Sequence, residues 1–580
     1  MSDTARSLVV RALNYWRQYH LETYVGLRYL SARTAVNDES SWLMDFIARK
    51  AITKRGDRHL IFPRFKRLDA GGRFEYREFV ARSPVEALIE IQALLQLRNI
   101  KGFENRPNVY SYRWPSGPTE KRIYEYYWLG YSQRNRDIAN ASLGLANPVV
   151  LIADVKSFYP SIDRDLLERQ LQRALPQGNS EENVFLRNHL QTSIKLGPGQ
   201  QGLPVGPPTS HVLANLVMSD IDNSLSAKHG CRYFRYVDDI AIVCEKEEAT
   251  QSLRNLESLL GNIGLKLNGE KTDEVSGAAW ANRFKSDQSK NASSFDGMVT
   301  RATLACALFP DRLPEFRQVC RDQNILFPDR RLMHHSRSNR YRRWLYVLLK
   351  NGAQSLKAAT QLNAEVFAAQ LVKIRRDLET LADRLFEAPS ASSPLTRRWQ
   401  IQDQRFVLNR LFYLTPLDEF GKLLRHVPPE PEHLEFRALL AACMSGNPES
   451  LLQFPGPAVA TFCSVAEKIG SVSISEGRLR QPSAANAAAL SNLFLSGALN
   501  PAKGTIKGAS LMDTRLLLFA RFNPSPIRET WEIDYLHELH SLQLGFNSGT
   551  TRDLLLSRFD WEEDMMLEAL TIGGDGYYSV

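Results

Sequence analysis

The run Arg232-Tyr-Phe-Arg-Tyr-Val-Asp-Asp-Ile-Ala-Ile-Val-Cys244 decides how this chain is read. β-Branched and aromatic residues flank two adjacent acids, Asp238 and Asp239. That composition predicts a strand, a tight turn and a second strand, with the acids at the tip. Adjacent ionised carboxylates repel each other, so a hairpin tip that keeps both calls for a compensating cation, most commonly a divalent metal. Short acidic turns are also frequent on surfaces, so the reading depends on a partner carboxylate elsewhere.

Val149-Val-Leu-Ile-Ala-Asp-Val-Lys-Ser-Phe-Tyr-Pro-Ser-Ile-Asp163 supplies that partner. Its apolar start predicts a buried strand ending near Asp154, since Pro160 cannot continue a central strand. A helix is expected to begin within Ser161 to Asp165, with Ser161 as its cap. Two such strands side by side would gather Asp154, Asp238 and Asp239 as oxygen ligands suited to magnesium. The set fits phosphoryl transfer by two metals about 3.5–4 Å apart, one activating an attacking hydroxyl and one neutralising a departing pyrophosphate.

Four blocks in this order resemble the palm of the reverse transcriptases. Asp154 with Phe158 and Tyr159 is similar to the first. Gly202-Leu-Pro-Val-Gly-Pro-Pro-Thr-Ser-His-Val-Leu-Ala-Asn215 is similar to the second. Tyr236-Val-Asp-Asp239 resembles the third, and Gly264-Leu-Lys-Leu-Asn-Gly-Glu-Lys-Thr272 the fourth. The resemblance implies Asp154 and Asp238 as ligands of two Mg2+ ions, with Mn2+ as a substitute. Asp239 would be the supporting acid, the Val155 carbonyl a further ligand, and Lys271 the general acid toward pyrophosphate. Tyr159 matches the aromatic that packs under the sugar and excludes a 2′-hydroxyl, favouring dNTPs. Lys156, Phe158, Val205 and Gly206 would line the nucleotide, the glycine letting backbone approach it closely.

Many reverse transcriptases have glutamine where Val205 stands. Valine there resembles the bacterial abortive-infection and defence-associated group, some of which polymerise without an ordinary template or start from a protein hydroxyl. The implied function is DNA synthesis in anti-phage defence, protein-primed or template-independent synthesis being open. Two rivals stand beside it. An RNA-dependent RNA polymerase is opposed by Val237 and Tyr159. A catalytically silent nucleic-acid-binding scaffold is opposed by the intact acids.

The expected fold class is α+β: a right-hand polymerase of fingers, palm and thumb, then an all-α C-terminal domain arranged as a helical repeat. Its length of 580 residues predicts several domains. We place N-terminal helices and fingers at 1–148, the palm at 149–275, a thumb-like basic region at 276–350 and the helical domain at 351–580. A net charge of +9 agrees with DNA or RNA as partner. Six cysteines without Cys-x-x-Cys pairing argue against a zinc site or a disulfide framework. With no secretory signal and no apolar run of ~20 residues, a soluble cytoplasmic protein with no membrane partner is expected. A homo-oligomer and an associated non-coding RNA are open.

Outside the blocks, the basic stretch from Arg64 through Arg73 and Arg77 to Arg82 reads as phosphate contacts or a solvated face. Within it, Arg73 to Val80 alternates like a β-ribbon. Tyr110 to Trp114 and Lys121 to Tyr127 mix aromatic and basic residues, as base-stacking surfaces or fingers strands do. Lys121 and Arg122 are candidates for the triphosphate. Ser286 to Ser294 reads as loop. Arg330, Arg331, Arg337, Arg340, Arg342 and Arg343 form a cluster without acids, expected to grip nucleic acid in a salt-dependent way. Leu371, Ile374, Leu378, Leu381 and Leu385 mark the seam of a bundle helix. At the end of the chain, Tyr577, Tyr578 and Ser579 offer hydroxyls for priming, or a frayed terminus.

Overall fold

A computed structural model of the chain describes residues 3–36, 58–69, 71–116, 122–196, 201–285, 289–327, 353–354, 356–389, 391, 393–428, 430–470, 472–474, 483–496, 498–499 and 530–543. Six strands lie among them, in two sheets. β1 (His59–Leu68) and β2 (Phe74–Arg82) pair antiparallel, so the alternating ribbon is a real hairpin, with a register shift between Phe65 and Arg67. Its turn is fixed by the Asp69 carboxylate, which accepts from the Gly71 and Arg73 N–H groups at 2.8 Å each.

The second sheet holds β3 (Pro148–Asp154), β4 (Tyr233–Tyr236), β5 (Asp239–Glu245) and β6 (Asp273–Ser276) in the order β4-β5-β3-β6, all antiparallel. Val149–Asp154 and Ile240–Cys244 are buried throughout. Both faces of these strands are therefore covered, which is why they read as unbroken apolar runs. The helices Tyr127–Ala141, Ala249–Gly261 and Gly277–Lys285 pack on this sheet.

Several expectations are corrected. The helix Arg164–Ala174 is capped by Asp163, whose carboxylate accepts from the Leu166 N–H at 2.9 Å. Ser161 instead ends a separate short turn, Phe158–Ser161, divided from that helix by the extended Ile162. Part of the expected loop is helical: Ser289–Leu308 is one helix, anchored by the buried Phe295, Met298, Val299 and Ala302, whose three- and four-residue spacing outweighs the polar start. The segments 110–114 and 122–126 are not strands, and the aromatics Tyr110, Trp114 and Tyr124 are buried rather than offered as a stacking platform.

Two hydrophobic cores organise the chain. The first runs from the N-terminal helices through both sheets to Trp280 and takes in Tyr535, Leu539 and Leu542 from the helix Thr530–Gln543. The second gathers residues from Phe295 to Leu499. Its C-terminal helices are Ala364–Glu387, Pro394–Leu414, Leu417–His426, Leu434–Ser445, Pro457–Ile469 and Ala484–Leu495. Leu371, Ile374 and Leu378 are buried in it, and Leu381 and Leu385 partly so. Sequence neighbours pack on one another, and among the described residues their lengths fall from 24 and 21 residues to 10–13. Among the described residues no helix is long and apolar enough to cross a membrane.

Among the described residues the second core meets the first on the hairpin, on the palm side, and where Ser491 donates to Glu22 of the N-terminal helices. Phe454 packs edge-on to Phe65 and Phe74 of the hairpin, with ring centroids 5.0 and 5.3 Å away, and the Phe65 N–H donates to the Pro455 carbonyl at 3.0 Å. On the palm side the Leu395 N–H donates to the Asp273 carboxylate at 2.9 Å, and Arg398 donates to the Lys271 carbonyl at 3.2 Å. Phe454→Ala should cost about 3 kcal/mol at the first joint, in the range for deleting a buried aromatic. Hydrogen exchange should then speed up at the Phe65 amide and leave β3 and β5 protected.

Candidate active site

The register of the second sheet places Asp154 opposite Asp239, and the two-residue turn between β4 and β5 presents Asp238 beside them. The turn is strained. Val237 has φ of +56°, a left-handed conformation that a β-branched residue avoids. It is held from both sides: its N–H donates to Ser111 Oγ at 2.9 Å, and its carbonyl accepts from Arg235 Nη1 at 2.9 Å. Arg235 is fully buried and forks onto Asp222 with two bonds of 2.7 Å, while Nη1 also reaches Asn215 Oδ1 at 3.0 Å. Tyr233 donates to the same Asp222 carboxylate at 2.7 Å.

The fourth block is laced to the first. The Asn268 N–H donates to the Asp154 carbonyl at 2.7 Å, and the Lys156 N–H to the Lys266 carbonyl at 2.8 Å. The Asp154 carboxylate accepts from Asn268 Nδ2 and from Lys271 Nζ, both at 3.1 Å. The Val155 N–H donates to the Asp238 carbonyl at 3.2 Å, so the proposed backbone ligand sits at the junction of the acid-bearing strands.

Charge is poorly balanced here. Burial pushes the Asp238 carboxyl well above the usual range, and Asp239 and Asp154 push it further, against an opposing pull from Lys271. Burial also raises Asp154, with Lys271 and Asn268 opposing and Asp239 adding. Burial works against the Lys271 charge, but the three acids outweigh it and raise its pKa. Among the described residues no three acid, His or Cys side chains stand as a ready-made metal cage. The donor set nonetheless fits a hard divalent cation, because its carboxylate oxygens are crowded and short of positive charge. Such an ion would compete with Lys271 for Asp154.

The other expected residues fall in different places. Tyr159 is 2% exposed, with its hydroxyl on His211, and Phe158 is buried edge-on against it at 5.4 Å. Lys156 is exposed. Val205 is buried, and its carbonyl accepts from the Val80 N–H at 2.8 Å. Gly206 has φ of +118°, and a Cβ there would stand 2.5 Å from the Val80 carbonyl oxygen. Its backbone thus packs closely on that of the hairpin. The Arg122 guanidinium lies 3.5 Å over the Tyr126 ring and lines a recess with Asn14, Tyr15, Tyr19 and Tyr124. Arg82 is a core residue beside Glu90, donating to Ser193 Oγ at 2.8 Å. Lys121, the arginines at 330–343, and Tyr577, Tyr578 and Ser579 lie outside the described residues.

The site also contains residues that were not singled out. Arg77 of β2 lies within electrostatic reach of Asp238 and Asp154, with Arg64 opposite it in the hairpin. The alternation of the ribbon was the signal that could have chosen Arg77 from the basic stretch. Asn268 was visible within the fourth block. Asp222 and Ser111 carry no sequence signal, since their role depends on a turn conformation that only the fold reveals.

Residues 93–297 match the family described as reverse transcriptase (RNA-dependent DNA polymerase). A stretch of 153 residues is 27% identical to the retron Ec86 reverse transcriptase of Escherichia coli, covering 25% of this chain and 43% of that protein. The chain thus spans less than half the length of this relative. A telomerase structure from Candida albicans, in complex with a fragment of telomeric RNA, aligns over 69% of this chain and 68% of its own at 10% identity, with a TM-score of 0.27. A likeness at that level carries no structural argument.

The raised Asp238 carboxyl has a direct consequence for stability. In the folded protein it binds a proton more readily than in the unfolded chain, so above the ordinary carboxylate range stability falls as pH rises. Asp238→Asn should therefore melt higher than the parent at pH 8 in EDTA, and thermal melts should show the gap narrowing toward pH 5.

Proposed function

We propose that this chain, which carries a reverse transcriptase domain at residues 93–297, is a DNA polymerase of the bacterial defence-associated kind, joining deoxynucleotides by metal-assisted nucleotidyl transfer. The observation that carries the reading is the pairing of Asp154 with Asp239, with Asp238 on the strained turn beside them, inside the matched domain. Asp154, Asp238, Asp239 and the Val155 carbonyl are the residues that would hold Mg2+ or Mn2+. Two such ions would activate a primer hydroxyl and neutralise the leaving pyrophosphate.

The chain's own groups supply the rest. Arg77 of the hairpin lies within electrostatic reach of Asp238 and Asp154 and would bind the triphosphate of the incoming nucleotide. Lys271, hydrogen-bonded to Asp154, would give a proton to the leaving pyrophosphate. Tyr159 would reject a 2′-hydroxyl by clash. Val205 offers no amide to a template base, which supports loose templating and, through the resemblance, the defence role. Priming from a protein hydroxyl fits the same reading, with Tyr577, Tyr578 and Ser579 as candidates. Peptide mapping of DNA-linked protein should find the nucleotide on this tail, and a linkage elsewhere removes them.

Incorporation of labelled dNTPs and NTPs by the purified full chain in Mg2+ tests the function. Asp238→Ala with Asp239→Ala should lower incorporation by about 10³-fold or more, equivalent to several kcal/mol of lost metal-based stabilisation. Unchanged incorporation would refute the assigned site, and preference for NTPs would favour an RNA polymerase. Arg77→Ala should raise the KM for dNTP about 10-fold, the order expected for one charge-assisted hydrogen bond, with a smaller change in kcat.

A further inference from the structure

One buried hydrogen-bond chain joins Tyr159 to the second block and to the N-terminal helix. Tyr159 Oη lies 2.6 Å from His211 Nδ1, Tyr15 Oη lies 3.0 Å from His211 Nε2, and Tyr15 Oη lies 2.7 Å from the Gly206 carbonyl oxygen. Counting donors fixes the direction of every proton. The carbonyl can only accept, so the single hydroxyl proton of Tyr15 goes to it. Tyr15 Oη must then accept from His211, which places the imidazole proton on Nε2. Burial keeps the ring neutral, its pKa pushed down to about 3. Nδ1 is therefore bare and accepts the Tyr159 proton.

The imidazole has little freedom of its own. Tyr112 stacks flat on it, with centroids 3.6 Å apart and planes 5° from parallel, and Tyr124 stands edge-on at 6.3 Å. Its helix, Pro208–Val217, is pinned at the start by Glu90, which accepts from the Thr209 N–H at 3.0 Å. A wall that selects by clash works only as far as it cannot move. Here the Tyr159 ring is held at its hydroxyl by His211, while its carbonyl accepts from the Leu203 N–H at 2.8 Å.

We propose that His211 is a positioning residue for sugar selection, which makes the Tyr159 ring a fixed wall by holding its hydroxyl. The inference rests on the polymerase reading above. With His211 replaced, the Tyr159 hydroxyl keeps its bond with Tyr112 but loses the one to Nδ1, and the ring can tilt. A ribose 2′-hydroxyl then becomes tolerable.

The test compares kcat/KM for dNTP and for the matching NTP in the purified full chain. The variants are His211→Phe, which keeps ring volume without nitrogen, His211→Gln, which keeps donor and acceptor, and Tyr15→Phe, which cuts the far end of the chain. His211→Phe should reduce the dNTP-to-NTP ratio about 10-fold, the order available to steric selection in a pocket. The change should come mainly from a lower KM for NTP, with dNTP turnover kept within a few-fold. His211→Gln should restore most of the ratio, and Tyr15→Phe should give a smaller loss. A ratio unchanged in both His211→Phe and Tyr15→Phe overturns the proposal. So does an equal loss of both activities in a variant whose melting matches the parent. If His211→Phe does not fold, Tyr15→Phe decides alone. A parent chain that incorporates no nucleotide defeats the polymerase reading instead, before His211 is altered.

Discussion

The buried fork of Arg235 on Asp222 is the contact on which the rest of the site depends. A turn with valine at φ of +56° costs roughly 1–3 kcal/mol in backbone strain, and it persists only where its surroundings over-determine it. Arg235 does so by bonding the Val237 carbonyl from within its own strand while its charge is met by Asp222 from the preceding helix. Ser111 closes the other side. The three carboxylates are then presented by backbone that cannot relax away from their mutual repulsion. Tension in charge and in backbone is concentrated at one turn, and neutral packing around it resists both.

Much of this was legible in the residues. The apolar runs at Val149–Ala153 and Ile240–Cys244 declared two buried strands, and the acids at their ends followed from where those runs stop. The ribbon showed through its alternation. Two expectations failed for different reasons: Ser161 lost the cap to Asp163, two residues on, and the aromatics of the Tyr110–Trp114 segment are drawn into the core. Gly206 makes way for Val80, and the tyrosines were called to a core rather than to a ligand. The helix beginning at Ser289 was hidden because its first turns are polar in sequence, while Phe295, Met298, Val299 and Ala302 are buried in the core. Arg77 could be seen as basic, but not as lying within electrostatic reach of the acids, which only the fold shows.

The helical region is not an appendage. Among the described residues it touches the hairpin that carries Arg77, the stretch from Lys271 to Asp273, the helix Gly277–Lys285 and Glu22 of the N-terminal helices.

Those joints also impose an order on synthesis. The hairpin aromatics Phe65 and Phe74 emerge from the ribosome early, but their cover, Phe454, follows some 380 residues later. At ordinary elongation rates that interval is roughly 20–80 s. The helix Thr530–Gln543, which seats Tyr535 against Thr23 and Glu538 against Arg58, comes later still. A nascent chain can thus finish its carboxylate cluster long before the hairpin above it is fastened. The complete arrangement forms only once residues 530–543 have been made.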